Sequence, residues 1–287
     1  MADASYVSWH DISHNSQDLV GDFDAKHVHN THEIILTKQG TLDVSINDKK
    51  YTVGPKSLII CNNIEMHLLT PVKYPYERYG IHISVTGLRK IPLNITYFSV
   101  IANHPQHFNN IFDVSDIYDE IENIFIDINK EISTIHAAPR TIRDEYSEDI
   151  VRLKLGELLL KLRRHFPERF TVHKSKNDCT ILQIQQYIDE NFTRDISIND
   201  LAREAFISHT SFINAFKKLT GYSPKHYLLM CRLAEAKVLL YSTNMPISDI
   251  AFKIGFKDSN SFIRFFRQEM SITPGEYRKI NYRNVEK

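Results

Sequence analysis

The stretch DIAFKIGFKDSNSFIRFFRQEMSITPGEY (249–277) decides the fold of the C-terminal part of the chain, because it repeats the earlier stretch DLAREAFISHTSFINAFKKLTGYSPKHY (200–227). The copies align at an offset of 49 residues, which becomes 50 after one insertion in the turn. Each copy is typical of a short helix, a tight turn and a longer helix that ends at Ser/Thr-Pro. Since two copies are too few for a solenoid, the repeat predicts two helix-turn-helix units joined by a helix.

Each copy contains the small residue and the turn that such a unit requires. Ala202 and Ala251 allow the second helix to cross the first one closely. Gly255 suits a turn with positive φ, whereas the first copy has Phe206 there, which costs roughly 1–2 kcal/mol if the left-handed geometry is kept. The predicted N-caps of the second helices are Ser208 in the first copy and Asp258 or Ser259 in the second.

The second helix of each copy has an apolar face and a polar face. The predicted buried residues are Phe212, Phe216 and Leu219, and then Phe262, Phe266 and Met270. The opposite face carries Thr210, Asn214 and Lys217 in the first copy, and Asn260, Arg264 and Arg267 in the second. Asn binds adenine and Arg binds guanine through paired hydrogen bonds, while Lys and Arg also reach phosphates. A plain helical bundle with a solvated face is the alternative, and the repetition favours DNA binding over it.

This C-terminal part of the sequence resembles the DNA-binding domain of AraC/XylS-type transcriptional regulators. The resemblance covers about 180–280 and is most specific in ISDIAFKIGF, SFIRFFR and PGEYR. It implies that two recognition helices enter successive major grooves. The residues expected at the DNA are Ser208, Thr210, Asn214, Lys217, Lys218, Lys257, Ser259, Asn260, Arg264 and Arg267. The chain departs from the family pattern at Phe206 and Ser271, where glycine is usual, and at Asn214, where arginine is frequent.

The N-terminal part has a β pattern that gives way to helices. Short runs such as EIILT, LDVSIN and SLIIC, separated by turn residues at Gln39-Gly40, Asn47-Asp48 and Gly54-Pro55, predict a cupin-like (jelly-roll) β-barrel. Apolar residues then recur at helical spacing. The expected fold is therefore multi-domain α and β, with an all-α C-terminal domain. The domains are a ligand-sensing domain (1–112), a helical dimerisation segment (113–167), a linker (168–177) and a DNA-binding domain (178–287), with helix-turn-helix units at about 200–220 and 249–271.

A second group of polar residues lies in the β region. The spacing Gly21-x5-His27-x-His29-x3-Glu33-x6-Gly40 resembles the first cupin motif, but the second cupin motif is broken and offers only a late His67. On a strand, His27, His29 and Glu33 share a face, and His67 from a neighbouring strand would complete a site of three imidazoles and one carboxylate. These donors suit Fe, Mn, Ni or Zn. The alternative is a ligand pocket with the same lining and no metal.

The predicted helix over 143–166 carries a leucine-rich apolar stripe over 150–162, formed by Ile150, Leu153, Leu155, Leu158, Leu159 and Leu162. Such a stripe is either core or the seam of a homodimer, and the family resemblance favours the seam. A seam predicts that Leu158→Asp yields a folded monomer.

Composition limits the class of protein. The 287 residues suffice for about two domains. The net charge is zero, but residues 178–287 have 15 Lys+Arg against 12 Asp+Glu, so the excess of +3 there is balanced by −3 in residues 1–177. The sequence shows neither a secretory signal nor an apolar run long enough for a membrane. Three scattered cysteines indicate free thiols in a reducing cytoplasm.

Together these features predict a ligand-responsive, sequence-specific DNA-binding regulator of transcription rather than an enzyme. The expected partners are double-stranded DNA, a small-molecule effector (a sugar is favoured), a second copy of the chain and, for an activator, RNA polymerase. No membrane partner is expected. A metal-dependent cupin enzyme fused to a DNA-binding domain is the alternative function, and metal content would discriminate between the two.

Overall fold

The computed structural model describes residues 7–14, 31–47, 49–84, 91, 99–102, 104, 108–137, 145–170 and 176–285. These residues fall into two compact units, with the division between His173 and Lys174. The first unit is an antiparallel sheet followed by helices, and the second is entirely helical apart from its turns. The predicted fold class is therefore confirmed.

The strands of the first unit form one antiparallel sheet. They are β1 (Val7–His14), β2 (Thr31–Ile46), β3 (Lys49–Val53), β4 (Ser57–Cys61), β5 (His67–Ser84) and β6 (Ile111–Asp113). The strand order is β1-β5-β2-β4-β6, and β3 pairs with the distal half of β2. Glu33 of β2 lies opposite both His82 of β5 and Cys61 of β4, so titratable side chains from three strands are neighbours at this position.

The turn predicted at Gln39-Gly40 is wrong, because β2 continues through these residues as one strand of 16 residues. The register of β2 against β5 shifts between Thr37 and Leu42, which indicates bulges that bend the long strand. Gly40 has φ 85°, and a Cβ there would lie 2.5 Å from the carbonyl oxygen of Lys73. Glycine is therefore required here by the close approach of the neighbouring strand β5, and not by a chain reversal.

The sheet has a buried cluster on each face. On one face, Ile34 and Leu36 pack with residues of two helices, α2 (Tyr118–Ala137) and α3 (Glu145–His165), and a short helix α1 (Ser99–Ala102) also joins this cluster. On the other face, Ile35 packs with Cys61 and the distal half of β2. Because both faces are covered, the centre of β2 is apolar on both sides instead of alternating.

Most of the leucine stripe on α3 belongs to the core of its own chain. Leu155, Leu158 and Leu162 are at most 1% exposed and pack against α2 and the sheet. The expectation that Leu158 lies at a dimer seam is therefore wrong, because an aspartate there would disrupt the core. Two members of the predicted stripe, Ile150 and Leu153, face outward instead, and together with Tyr146 and Leu160 they form an exposed apolar stripe at steps of four, three and seven residues.

The second unit repeats a three-helix arrangement. After α4 (Lys176–Asn191), the first helix-turn-helix consists of α5 (Ile198–Glu204) and α6 (His209–Thr220), and the long α7 (Pro224–Ser242) follows. The second consists of α8 (Ile247–Lys253) and α9 (Ser259–Met270), followed by α10 (Pro274–Val285). Ser223-Pro224 and Thr273-Pro274 begin α7 and α10, since Pro is favourable in the first turn of a helix.

The two copies have nearly the same aromatic packing. Phe212 and Phe216 of α6 have ring centroids 5.9 Å apart, and Phe216 is 5.5 Å from Tyr227. The corresponding distances for Phe262, Phe266 and Tyr277 are 5.7 and 5.6 Å. These phenylalanines and Tyr227 are at most 1% exposed. The internal repeat is therefore a repeat of packing as well as of sequence.

Both departures from glycine keep the left-handed backbone. Phe206, in the turn between α5 and α6, has φ 55°, and Ser271 at the end of α9 has φ 60°. The strain is roughly 1–2 kcal/mol per residue relative to glycine. Phe206 is also 94% exposed, so its ring gains almost nothing from burial in this chain.

Lys237 is a cation buried in the helical unit. Its residue is 2% exposed, and Nζ lies 5.5 Å from the centroid of the Tyr277 ring. Within the described residues Nζ has no hydrogen-bond partner. Burial lowers the pKa of Lys237 from 10.5 to about 7, because the apolar surroundings disfavour the charged form.

This burial predicts a pH-dependent stability. Between pH 7 and about pH 10.4 the unfolded chain binds a proton at Lys237 that the folded chain lacks, so this contribution to the free energy of unfolding rises with pH, by on the order of 1 kcal/mol per unit. Below pH 7 the full penalty applies. In urea titrations, Lys237→Met should exceed the wild type in stability at pH 7, and the gap should narrow at pH 9. The exposed Lys218→Met should follow the wild type, and an equal gap at both pH values would contradict the prediction.

Candidate functional sites

The second helix of each helix-turn-helix begins at the predicted cap. Ser208 Oγ accepts a hydrogen bond from the backbone N–H of Ser211 at 3.2 Å. Asp258 Oδ1 accepts one from the N–H of Ser261 at 2.8 Å, which selects Asp258 over Ser259 as the cap of α9. The backbone N–H and the hydroxyl of Ser261, which both donate to the Asp258 carboxylate, hold the pKa of this carboxyl below its ordinary value. Both helices therefore start at a defined residue, which fixes the faces that they present.

The predicted DNA-contacting residues lie at the surface of the helical unit. Asn214 and Arg264 are exposed, each midway between two buried phenylalanines. The other predicted residues are exposed as well, except Ser259, which is half-buried: Ser208, Thr210, Lys217, Lys218, Lys257, Asn260 and Arg267. Since a base-contacting side chain must be accessible, this placement is compatible with the expected role.

The cations of this surface differ in their local partners. Within the described residues Arg264 forms no ion pair, although Asp258 contributes a favourable charge interaction. Lys257 Nζ lies 3.0 Å from Asp195 Oδ2, with both side chains 80% exposed. A pair so exposed contributes at most about 1 kcal/mol and can exchange Asp195 for a phosphate. The guanidinium of Arg264 is therefore available for a base edge.

In the first unit, Glu33 is the centre of a buried polar cluster. Its carboxylate lies 3.0 Å from His67 Nε2, 3.4 Å from His82 Nε2 and 3.6 Å from Arg78 Nη1. The side chains of Glu33 and His67 are at most 3% exposed. A carboxylate this deeply buried requires compensating cations or donors, and these three side chains supply them.

His67 has an acceptor near each ring nitrogen. Its Nδ1 lies 3.0 Å from the backbone carbonyl oxygen of Glu65, while Nε2 faces the Glu33 carboxylate. The ring of His67 therefore lies between the carbonyl of Glu65 and the carboxylate of Glu33 and forms a buried carboxylate–imidazole contact with the latter.

A second buried network lies next to the first. The Glu65 carboxylate accepts hydrogen bonds from the backbone N–H of Asn62 and from Asn110 Nδ2, and Oε2 lies 2.6 Å from His104 Nδ1. Burial raises the pKa of Glu65, but His104 and the two asparagine donors lower it by a larger amount, so that the net shift is downward. Residues 65 and 67 thus connect the two carboxylate–imidazole pairs.

The structure brings together two of the four residues predicted for the ligand pocket, Glu33 and His67. His27 and His29 lie outside the described residues. Arg78 and His82 were not predicted as site residues. They lie four residues apart on β5, so both side chains are on the face of the sheet that carries Glu33, which becomes apparent only from the strand register. In the described part of the chain, no group of three or more His, Cys, Asp or Glu side chains is arranged to hold a metal ion. The described helices also include none that is long and apolar enough to cross a membrane.

Two family models match the chain. One is described as an AraC-like ligand binding domain and matches residues 11–138, and the other is described as a helix-turn-helix domain and matches residues 201–280. The two matches correspond to the two structural units.

The chain is similar in sequence to curated transcription activators and similar in fold to a solved structure. The chain is 24% identical over 263 residues to the HTH-type transcriptional activator RhaS of Klebsiella pneumoniae strain 342, covering 88% of this chain and 87% of the relative. It is 32% identical over 153 residues to the lactose operon transcription activator of Staphylococcus xylosus, covering 53% and 55% of the two chains. ToxT from Vibrio cholerae O395 has a similar fold, with a TM-score of 0.59 at 14% identity over 96% of this chain and 99% of that one.

The Glu33 cluster predicts a large cost for its removal. Glu33→Ala leaves His67 and Arg78 buried without their carboxylate, which should lower the free energy of unfolding by about 3–5 kcal/mol. The matched control is Glu77→Ala, because Glu77 pairs with Lys38 at 3.4 Å while the two side chains are 34% and 27% exposed; its loss should cost about 1 kcal/mol or less. Urea titration compares the two variants, and equal costs would contradict the interpretation of Glu33 as the centre of a buried cluster.

Proposed function

Because the chain belongs to the AraC family of transcriptional regulators, we propose that it is an effector-responsive activator that binds double-stranded DNA through both recognition helices, α6 and α9. The observation that carries the proposal is the duplicated helix-turn-helix, in which each recognition helix buries its aromatic face and exposes amide, hydroxyl and cationic groups. These groups are the ones that read base edges and bind phosphates. RNA polymerase is the further partner that activation requires, and we place the protein with its DNA in the cytoplasm.

The effector pocket that we propose is the Glu33 cluster of the first unit, completed by His27 and His29. A buried carboxylate, two imidazoles and a guanidinium offer acceptors and donors in a low-dielectric site, which suits a polyhydroxylated ligand. The relative named as a lactose operon activator supports a sugar as the first class to examine. A thermal-shift screen of the full chain should include neutral sugars, sugar acids, amino acids and divalent metals, so that a metal occupant is also detected. Since the relatives are transcription regulators, we propose no catalytic activity.

Arg264 and Lys217 should affect DNA binding in different ways. Arg264, on the outward face of α9, is expected to bond a guanine edge, so Arg264→Ala should cost about 1–3 kcal/mol and relax the preference at one base pair. Lys217→Ala should weaken all sequences about equally and reduce the slope of log affinity against log salt by roughly one unit.

Selection from a randomised DNA library, followed by affinity measurements at several salt concentrations, distinguishes the two effects. If Arg264→Ala keeps the wild-type preference at every position, base reading by this residue is wrong. If no sequence is enriched by the wild type, the proposed function itself fails.

We also propose that two copies of the chain associate through the outward stripe of α3, formed by Tyr146, Ile150, Leu153 and Leu160. Leu153 is 60% exposed and Tyr146 is 81% exposed, so contact with a second copy would remove apolar surface from water. The same surface on both copies makes an isologous dimer. This stripe replaces the buried leucines as the predicted seam.

Leu153→Asp should therefore convert a dimer into a monomer without unfolding the first unit. Sedimentation at micromolar concentration measures the mass, and circular dichroism checks the fold. Val72→Asp is the matched control, because Val72 is an exposed apolar residue (47%) on β5 outside the stripe. A wild-type chain that sediments as a monomer would remove the basis for this seam.

A further inference from the structure

Arg232 lies at a junction inside the helical unit. It is on α7, the helix between the two helix-turn-helix units, and is 8% exposed. Its Nε donates to the carbonyl oxygen of Phe192 at 2.7 Å, and Nη2 donates to that of Arg194 at 2.8 Å. These carbonyls belong to the loop between α4 and α5, which leads into the first helix-turn-helix. One guanidinium thus ties the connecting helix α7 to the loop that leads into the first helix-turn-helix.

The same guanidinium contacts the turn of the second helix-turn-helix. Arg232 Cζ lies 5.6 Å from the centroid of the Phe256 ring, which is in the range of a cation–π contact. Phe256 in turn packs on α9, with ring centroids 5.4 Å from Phe262 and 6.1 Å from Phe265. A continuous set of contacts therefore runs from the loop before the first helix-turn-helix, through Arg232 and Phe256, to the second recognition helix.

The backbone at Gly255, in the turn of the second helix-turn-helix, lies directly against Arg232 and the loop between α4 and α5. A Cβ on Gly255 would lie 2.6 Å from the carbonyl oxygen of Thr193 and 2.9 Å from Arg232 Nη2. Gly255 also has φ 92°, so glycine is required there for space and for conformation. The salt bridge between Lys257 and Asp195 at 3.0 Å joins the same loop and turn at the surface.

In the described part of the chain, the first copy shows no such junction. Phe206 holds the position that corresponds to Gly255, with the same positive φ, but its side chain is 94% exposed. The two turns therefore differ in their surroundings: the first faces solvent and accommodates Phe206, whereas the second lies against Thr193 and Arg232. The difference indicates that the second turn serves the contact between the two helix-turn-helix motifs.

We propose that Arg232 is a positioning residue for DNA recognition, which holds the second recognition helix at a fixed distance and rotation from the first and thereby sets the spacing between the two groups of base pairs that the chain reads. The inference rests on the proposed function, since it requires that both helices bind DNA. One inserted base pair moves the second group by about 3.4 Å and rotates it by about 35°. A rigid junction cannot follow this change, whereas a loosened one can.

The test uses the full chain and the DNA site that the wild type selects from a randomised library. Affinities are measured for this site and for versions with one base pair added or removed between its two halves. The wild type should lose at least about tenfold on either change. Arg232→Gln, which removes the bonds to Phe192 and Arg194, should bind the three spacings within about threefold of one another and keep its base preferences in each half.

Two further variants separate positioning from stability. Gly255→Ala perturbs the junction from the other side and should relax the spacing preference in the same way. Arg278→Gln is the matched control, because Arg278 of α10 donates to the carbonyl oxygen of Met245 at 2.6 Å, in the loop before α8, so this arginine–carbonyl bond does not involve the first helix-turn-helix. It should leave the spacing preference unchanged even if the melting temperature falls.

Each outcome decides the question. A folded Arg232→Gln that keeps the wild-type spacing preference overturns the proposal. If circular dichroism shows that Arg232→Gln is unfolded, Arg232→Lys carries the test, because it keeps the charge but lacks the planar fork that reaches both carbonyls. A wild type that selects a site yet tolerates all three spacings equally also overturns it while the proposed function stands. A wild type that selects no site overturns the proposed function.

Discussion

Burial of two phenylalanines beneath each recognition helix is the constraint on which the helical unit depends. Phe212 and Phe216, like Phe262 and Phe266, are four residues apart and fully buried, and a tyrosine from the next helix closes each group. Since each residue turns the helix by about 100°, the position two residues after the first phenylalanine must face outward. Asn214 and Arg264 occupy these positions. The packing that stabilises each helix therefore also selects the side chains that face outward, which are the ones that we propose bind DNA.

The first unit is organised around the opposite problem, a charge that must be stabilised inside an apolar sheet. Glu33 lies on the face of β2 that otherwise packs Ile35 and Cys61, and it is stabilised there by His67, Arg78 and His82. In a low-dielectric site these interactions are strong, and an unpaired partner would be costly. A polar ligand that replaced some of these hydrogen bonds would therefore change the stability of the cluster by a large amount. Such a response is what a sensor requires.

The accuracy of the sequence predictions follows the range of the interactions involved. The cap Ser208 and the buried phenylalanines were predictable, and the cap of α9 was narrowed to Asp258 or Ser259, because a cap and a helical face depend on residues within four positions of each other. The turn predicted at Gln39-Gly40 was wrong, because Gly40 is required by the close approach of Lys73 on β5, which is 33 residues further along the chain. The leucines of α3 were misassigned to a dimer seam, because periodicity identifies an apolar face and not the surface that covers it.

The sequence by itself determined the class of the protein, its duplicated helix-turn-helix and the outward residues of both recognition helices, since all of these follow from local spacing and from an internal repeat. Only the tertiary structure decided which distant residues share a site. Arg78 and His82 meet Glu33 through strand register, and Arg232 meets Phe192, Arg194 and Phe256 through the packing of three separate segments. The physical reason is that charge compensation and junction contacts depend on proximity in space, which no spacing along the chain encodes.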